Sequence, residues 1–405
     1  MSASVGAGIV KDGLVLAYDN GSTQSWKGMP TTNVLNTNGI STQSTSVNVS
    51  DLPHLDEIAS LVGGQGNITH PVHQMANSNW VDLHMMSGTV SVPANDYFIF
   101  SIYIYTGNPT NRFNYNGNFG STLGTNAGFG GPVNIPTNKW YRAVGYKQNT
   151  TGSAITVQYP RLETYSTSVW GGGDIDAWAC CPQVEVRSGS SFASPFTPTS
   201  RSTTTSLLDW VGGQTITMLS LTDYNSDNTF SFDGTNNTDR GIYLPSQDLN
   251  GSYSVEAWFK FDAASSSTQG IVGDLQYGWY RFLISTNNQV YAGHINSTSG
   301  YNYNFITAPT QLSAGTYHHA VHVFDASGGQ RIYVNGALDA SNSNTLNFHL
   351  GSRGPQYVGQ DRPGAQATRN VLDGTVPVLR IYKNKALSAS EVKQNYNALR
   401  KRYGV

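Results

Sequence analysis

The run Arg331-Ile-Tyr-Val-Asn335-Gly336-Ala-Leu338 leaves little choice of fold: it is two short strands closed by an Asn-Gly turn. Asn and Gly tolerate positive φ, which the two-residue turn between twisted antiparallel strands demands. The same grammar recurs along the chain. Apolar and aromatic residues alternate over short runs at 97–105, 140–146, 155–159 and 177–186. They do so again at 230–234, 241–244, 253–261, 280–284, 290–294, 318–324 and 376–382. Stretches rich in Gly, Asn and Ser, such as 114–131, separate the runs. This is the pattern of an all-β protein built of sandwiches. In 97–105, Phe98, Phe100, Ile102 and Ile104 share one face and Tyr97, Ser101, Tyr103 and Tyr105 share the other with Ile99. One buried face and one half-polar face are expected.

The chain has 405 residues, enough for two or three domains of ~100–200 residues each. Only 12% of residues are charged, with a net charge of −2. No basic field exists to hold a nucleic-acid backbone. The two cysteines, Cys180 and Cys181, are adjacent. Strand neighbours point to opposite faces, so one thiol is expected in the core and one on the other face, unbridged. The first ten residues lack a basic region and an apolar run, so no signal peptide is expected. No run of ~18 apolar residues suggests a membrane span.

Two segments read as helices. Residues 52–62 follow Asp51, a candidate N-cap. Near the end, Ser388 and Glu391 form an S-x-x-E capping box, and Val392, Tyr396 and Leu399 repeat on one face. Arg400, Lys401 and Arg402 in the last turn read as a solvated helix end, with Gly404 closing it. The opening strand, Gly-Leu-Val-Leu-Ala-Tyr at 13–18, cannot bury itself and must pair with something later.

Several of these pieces, in order, resemble the laminin-G-like, concanavalin-A-type jelly roll. They are Tyr253-Ser-Val-Glu-Ala-Trp258, Thr316-Tyr-His-His319, Ile332-Tyr-Val-Asn-Gly336, Leu372-Asp-Gly374 and Arg380-Ile-Tyr382, with the helix from Ala386 to Asn397. Phage versions of this domain open with a Gly-Leu-Val-Leu segment ending in Asp, as at 13–19 here. Its continuation resembles Leu208-Asp209-Trp210 and Phe232-Asp233-Gly234, about 190 residues later. The resemblance therefore implies an insertion. It divides the chain into an N-terminal arm (1–12), the first jelly-roll strand (13–30), an inserted sandwich (31–202), the jelly roll proper (203–385) and the C-terminal helix (386–405). The insert resembles a carbohydrate-binding-module-like sandwich of phage particles, on Lys139-Trp140-Tyr141-Arg142, Gln183-Val-Glu185 and the closing Phe192-Ala-Ser-Pro-Phe196.

Glucanases share the concanavalin-A-type fold, and retaining chemistry needs two carboxyls ~5–5.5 Å apart. The five glutamates, Glu57, Glu163, Glu185, Glu256 and Glu391, lie too far apart in sequence to share a strand. Glu256 reads as a surface or barrel-face residue, and Asp174 with Asp176 as part of a turn. The pair His70 and His73 lacks a third metal ligand, His54 and His84 are scattered, and His318, His319 and His322 fall on a strand with a structural role. No catalytic residue and no enzyme activity are expected.

Sugar sites stack a ring on exposed aromatics beside polar groups. Trp170 and Trp178, Tyr277 and Trp279, and Tyr301 and Tyr303 lie in or beside polar loops, where such pairs serve either packing or recognition. No cofactor is required, although Asp223, Asp227 and Asp233 are candidate Ca²⁺ ligands of the kind that support such sites. The resemblance implies a structural component of a bacteriophage virion, a surface decoration or tail-fibre-type subunit assembled in the host cytoplasm. The alternative is a phage adhesin that recognises host-surface glycans. Expected partners are other virion proteins and further copies of the chain, a trimer by analogy with phage appendages, with host glycans and without nucleic acid or membrane. The first dozen residues, small and polar, are expected to need such a partner to become ordered.

Overall fold

The computed structural model describes residues 8–22, 24–32, 45–76, 81–83, 89–107, 111–116, 133–134, 136–158, 161–166, 175–189, 191–198, 200–220, 222–225, 227, 229–235, 240–274, 280–296, 302–347, 355–361 and 370–405. The chain divides into two compact units, one of residues 1–30 with 203–405 and one of residues 31–202. The fold is all-β, with helices only at Leu55–Val62 and Ala389–Tyr403 beyond single 3₁₀ turns, among the described residues. None of these helices is long and apolar enough to cross a membrane.

The first unit is a two-sheet sandwich. In one sheet the order is Asp223–Tyr224, Phe230–Asp233, Asp373–Lys383, Tyr253–Phe261, Tyr317–Asp325, Gly329–Val334 and Ala337–Asn342, and Leu14–Asp19 also pairs with Asp373–Lys383. Leu16 lies opposite Ile381 and is fully buried. The second sheet runs Thr217–Met218, Ile242–Tyr243, Tyr357–Val358, Gln269–Gly273, Tyr280–Ile284, Gln289–Asn296 and Asn302–Gln311. Between the sheets the apolar core (Phe230, Phe259, Phe282, Ile332 and others) encloses a chain of polar side chains. His294 Nε2 donates to the Leu346 carbonyl at 2.6 Å, so its Nδ1 accepts from the Tyr253 hydroxyl at 2.7 Å. His322 Nε2 donates to Gln330 Oε1 at 2.8 Å, and Gln330 in turn donates to Asn304. Burial lowers the pKa of His294 to about 4 and that of His322 to about 3, so both imidazoles are neutral.

The C-terminal helix lies on the outer side of the first of these sheets. Ser388 and Glu391 close the capping box that the sequence predicts. Trp258 stacks on Tyr396 at 5.7 Å, and Asn395 Nδ2 donates to Glu256 Oε2 at 2.6 Å. Glu256 is therefore not a surface residue. It is fully buried, ion-paired with Arg380 and within 3.1 Å of His319 Nε2. Burial opposes its charge, but Arg380, with His319 and Asn395, holds its pKa down to about 2. Nor is the basic end of the helix wholly solvated. Arg402 pairs with the buried Asp19 at 2.6 Å, while Arg400 and Lys401 are exposed. Part of the N-terminal arm is ordered by its own chain: Ile9 and Val10 are buried, and Val10 N donates to Asn395 Oδ1 at 2.8 Å.

In the second unit, Tyr97–Thr106 lies inside a sheet ordered Tyr141–Gln148, Tyr97–Thr106, Ile175–Arg187, Val72–Ala76, Thr45–Ser46. Both faces of Tyr97–Thr106 are buried from Phe98 on, against the expected half-polar face. Tyr103 and Tyr105 cluster with Ile58 and Val62 of the Leu55–Val62 helix, which covers that side. The helix begins three residues later than the sequence suggests. Its N-cap is His54 in a left-handed conformation, and Asp51 instead closes a 3₁₀ turn. The cysteines also depart from expectation. A bulge after Cys180, with Cys181 at φ +56, breaks the alternation, so both thiols enter the same cluster. Trp140 is buried while Tyr146, six residues on, is about half exposed.

Candidate functional site

In the seven-strand sheet, residues facing away from the partner sheet form an unbroken line. Register partners run Thr217, Tyr243, Tyr357, Gly273, Arg281, Gly293 and Phe305, one from each strand in turn. Cross-strand partners share a face. Their neighbours two residues on, Tyr291 and Tyr303, share it too. The intervening residues Tyr280, Phe282 and His294 point into the sandwich and are buried, which leaves this line on the outer face.

Aromatic rings stand at both ends of the line. Tyr243 and Tyr357 meet edge to face at 5.2 Å. Phe305 stacks on Tyr291 at 5.1 Å with an interplanar angle of 16°, and Tyr303 lies 6.1 Å from Phe305. Tyr303 is 66% exposed. Between the ends, a second pair of strands, Gln360–Asp361 with Asn370–Val371, rests on the sheet. Gly270 and Gly273 make that approach possible, because a Cβ on either would come within 2.6 Å of the Asp361 backbone. A bulge at Ile271 brings these two glycines, three residues apart, to one face.

Asp361 is thereby buried beside Arg281, with Nε 3.6 Å from its Oδ2. Its Oδ1 accepts from the Asn370 backbone and side chain at 3.1 and 2.7 Å. Burial raises the Asp361 pKa, against the lowering pull of Asn370 and Arg281. Oδ2 and the Arg281 Nε lack a hydrogen-bond partner among the described residues. Beyond Arg281 comes Gly293, where a Cβ would meet the Asn304 carbonyl at 2.1 Å and the Phe305 ring at 2.7 Å, so the neighbouring strand packs closely against it. The result is an aromatic platform with one carboxylate–guanidinium pair beside it.

Of the aromatic residues predicted from sequence, Tyr303 belongs to this platform. Trp178 lies in the other unit, half-buried, with its ring stacked on His73 at 3.8 Å. Trp170, Tyr277, Trp279 and Tyr301 fall outside the described residues, as do His84 and Asp174. The candidate calcium ligands do not converge on a metal position. Arg240 takes Asp223 at 2.7 Å and Asp233 at 2.9 Å, so a guanidinium occupies the place of a cation. Asp227 instead accepts from the Thr229 hydroxyl at 2.6 Å. Among the described residues no three His, Cys, Asp or Glu side chains are grouped to hold a metal ion. Sequence reasoning missed Tyr291, Phe305, Arg281 and Asp361. The usable signal was a glycine inside a strand, Gly293, between Tyr291 and Ile295, which marks a close approach or a gap.

No curated protein matches the chain. Among solved structures it resembles the sialidase of Trypanosoma rangeli bound to a difluoro-KDN, at 15% identity and a TM-score of 0.36, over 48% of this chain and 31% of that one. It also resembles domain 4 of the extracellular arabinanase AbnA of Geobacillus stearothermophilus in complex with arabinotriose, at 22% identity and a TM-score of 0.34, over 46% and 90%. A third is the receptor binding domain of botulinum neurotoxin type G, at 17% identity and a TM-score of 0.34, over 47% and 48%. The chain spans about a third of the length of the sialidase it matches. Residues 233–393 match the concanavalin A-like lectin/glucanases superfamily (Laminin_G_3). The segment holds the core strands of the first unit and the start of its closing helix, so the chain carries a lectin-type β-sandwich domain of that superfamily.

Proposed function

We propose that the chain is a non-catalytic surface subunit of a bacteriophage virion whose lectin-type sandwich contacts saccharide. The observation that carries the saccharide part is the platform of Tyr291, Phe305 and Tyr303 beside the Arg281–Asp361 pair. An aromatic face takes the apolar side of a sugar ring, and the Arg281 guanidinium, held from beneath by the buried Asp361, takes its hydroxyls. A non-catalytic role is supported by the state of the carboxylates. Glu256 is enclosed in an ion-paired network, and Asp361 stands beside a guanidinium instead of a second acid. The virion part rests on the phage-like motifs at 13–19 and 192–196. Under this reading the chain assembles with other virion proteins and with its own copies, as a trimer.

A glycan array probed with the recombinant chain tests the first part. Phe305→Ala and Tyr291→Ala should each lower the signal about tenfold, at the low end of the ~1–3 kcal/mol that stacking a nucleobase on an aromatic side chain is worth. Array binding that both variants retain would remove the platform from the proposal. Release of new reducing ends from a bound polysaccharide would remove the non-catalytic part. Mass spectrometry of purified particles with copy number, and light scattering of the free chain, test the second part. A monomer at high concentration that is absent from particles would end the virion reading.

A further inference from the structure

On the side of the first unit covered by the helix, the last helical turn meets the turn after Leu14–Asp19 around a cavity of about 380 Å³. That volume lies in the range of small-molecule sites, ~300–1,000 Å³. Its walls are the rings of Trp26, Tyr317 and Tyr403, and its polar lining includes Asp227, Thr229 and Arg402. It is separate from the platform described above and shares no residue with it.

Its parts are held from behind. Trp26 is buried, parallel to Tyr224 at 6.4 Å and edge-on to Phe230 at 5.4 Å. Tyr403 stacks on Trp258 at 4.6 Å and leans on Tyr317 at 4.6 Å. Arg402 is fixed by Asp19, whose Oδ1 also accepts from Gly21 N at 2.8 Å. Gly21 leaves room for this pair, since a Cβ there would stand 2.7 Å from the Arg402 guanidinium. Asp227 spends Oδ1 on the backbone and hydroxyl of Thr229 and keeps Oδ2 unengaged among the described residues. The Tyr403 hydroxyl is buried beside the Arg402 guanidinium, and burial raises its pKa against the lowering pull of that guanidinium.

This combination selects a ligand class. Three rings favour a flat apolar face. One carboxylate oxygen and the guanidinium's remaining N–H groups offer an acceptor and donors, the pairing that adjacent hydroxyls of a sugar satisfy. Asp227 repels an anion, and Arg402 repels a cation. We propose that this cavity is a second binding site, for one neutral pyranose ring, stacked on its aromatic walls and hydrogen-bonded by Asp227 and Arg402.

Saturation-transfer NMR of the full chain with methyl glucoside, methyl galactoside and N-acetylglucosamine tests it, with choline and N-acetylneuraminate as cationic and anionic probes. At least one neutral sugar should give transfer. The exposed Asp227→Ala, and independently Tyr317→Ala, should weaken its affinity about tenfold in chains that keep their circular dichroism. Leu61→Ala, on the exposed side of the Leu55–Val62 helix in the other unit, should leave it unchanged. The proposal is overturned if no neutral sugar gives transfer, if only choline or N-acetylneuraminate does, or if the signal survives both cavity variants. Loss in Phe305→Ala alone would assign all sugar binding to the platform and also overturn it. Loss of array binding in Phe305→Ala with the cavity signal intact separates the two sites.

Discussion

Two imidazoles govern how the sandwich responds to acid. His294 and His322 are neutral in the folded protein, with pKa values of about 4 and 3 against an ordinary 6.5. Below pH 6.5 the unfolded chain takes up protons that the folded chain refuses, so stability falls as pH falls. Glu256 acts in the same direction at lower pH. Its pKa of about 2 lies under the ordinary 4.5, so its contribution is complete above 4.5 and is lost on descent toward 2. The melting temperature of the first unit should therefore be level above pH 6.5 and drop between 6.5 and 4. A His294→Gln, His322→Gln double variant should flatten that interval and leave the fall below 4.5. A wild-type melting temperature that does not change between pH 6.5 and 4.5 would contradict the neutral pair.

Among the elements, the hairpin and the closing helix were legible in the sequence because their causes are local. Asn335 and Gly336 have φ of 49° and 76°, the left-handed pair that the turn requires. Ser388 and Glu391 need only each other to cap a helix. Gly336 also has a distant reason for its identity, since a Cβ there would lie 2.8 Å from the Tyr396 ring. Gly336→Ala should therefore cost more than the ~1 kcal/mol of a left-handed alanine alone, read as a lower urea midpoint with an unchanged slope. A cost below that would mean the ring gives way freely. What remained illegible was set by partners far along the chain. Glu256 looks like a strand's polar face until the helix at Ala389–Tyr403 closes over it. Cys181 changes face through one extra residue in a ladder, which no alternation count reveals. The platform required the register of seven strands, so only Tyr303 among its members could be singled out from sequence, by its loop-side position.

For the whole molecule, the two units predict two separable unfolding events. Leu16 is fully buried opposite Ile381, and Leu16→Asp places an unpaired charge in that core, where burial is strongly unfavourable. Differential scanning calorimetry should show the transition of the unit formed by 1–30 and 203–405 lost or sharply lowered. The transition of 31–202 should stay in place, and residues 31–202 expressed alone should reproduce it. A single transition that moves as one in Leu16→Asp would show that the units do not melt apart.

The pairing of Leu14–Asp19 with Asp373–Lys383 also has a consequence in time. Ribosomes extend a chain at roughly 5–20 residues per second. Leu16 and Ile381 are 365 residues apart (381 − 16), so the first strand waits on the order of 20–70 s for its partner. Residues 31–202 emerge complete well within that delay. The order of birth and the order of folding are thus reversed for the two units. The unit that starts first finishes last, and its opening strand stays without its native partner until synthesis is nearly done.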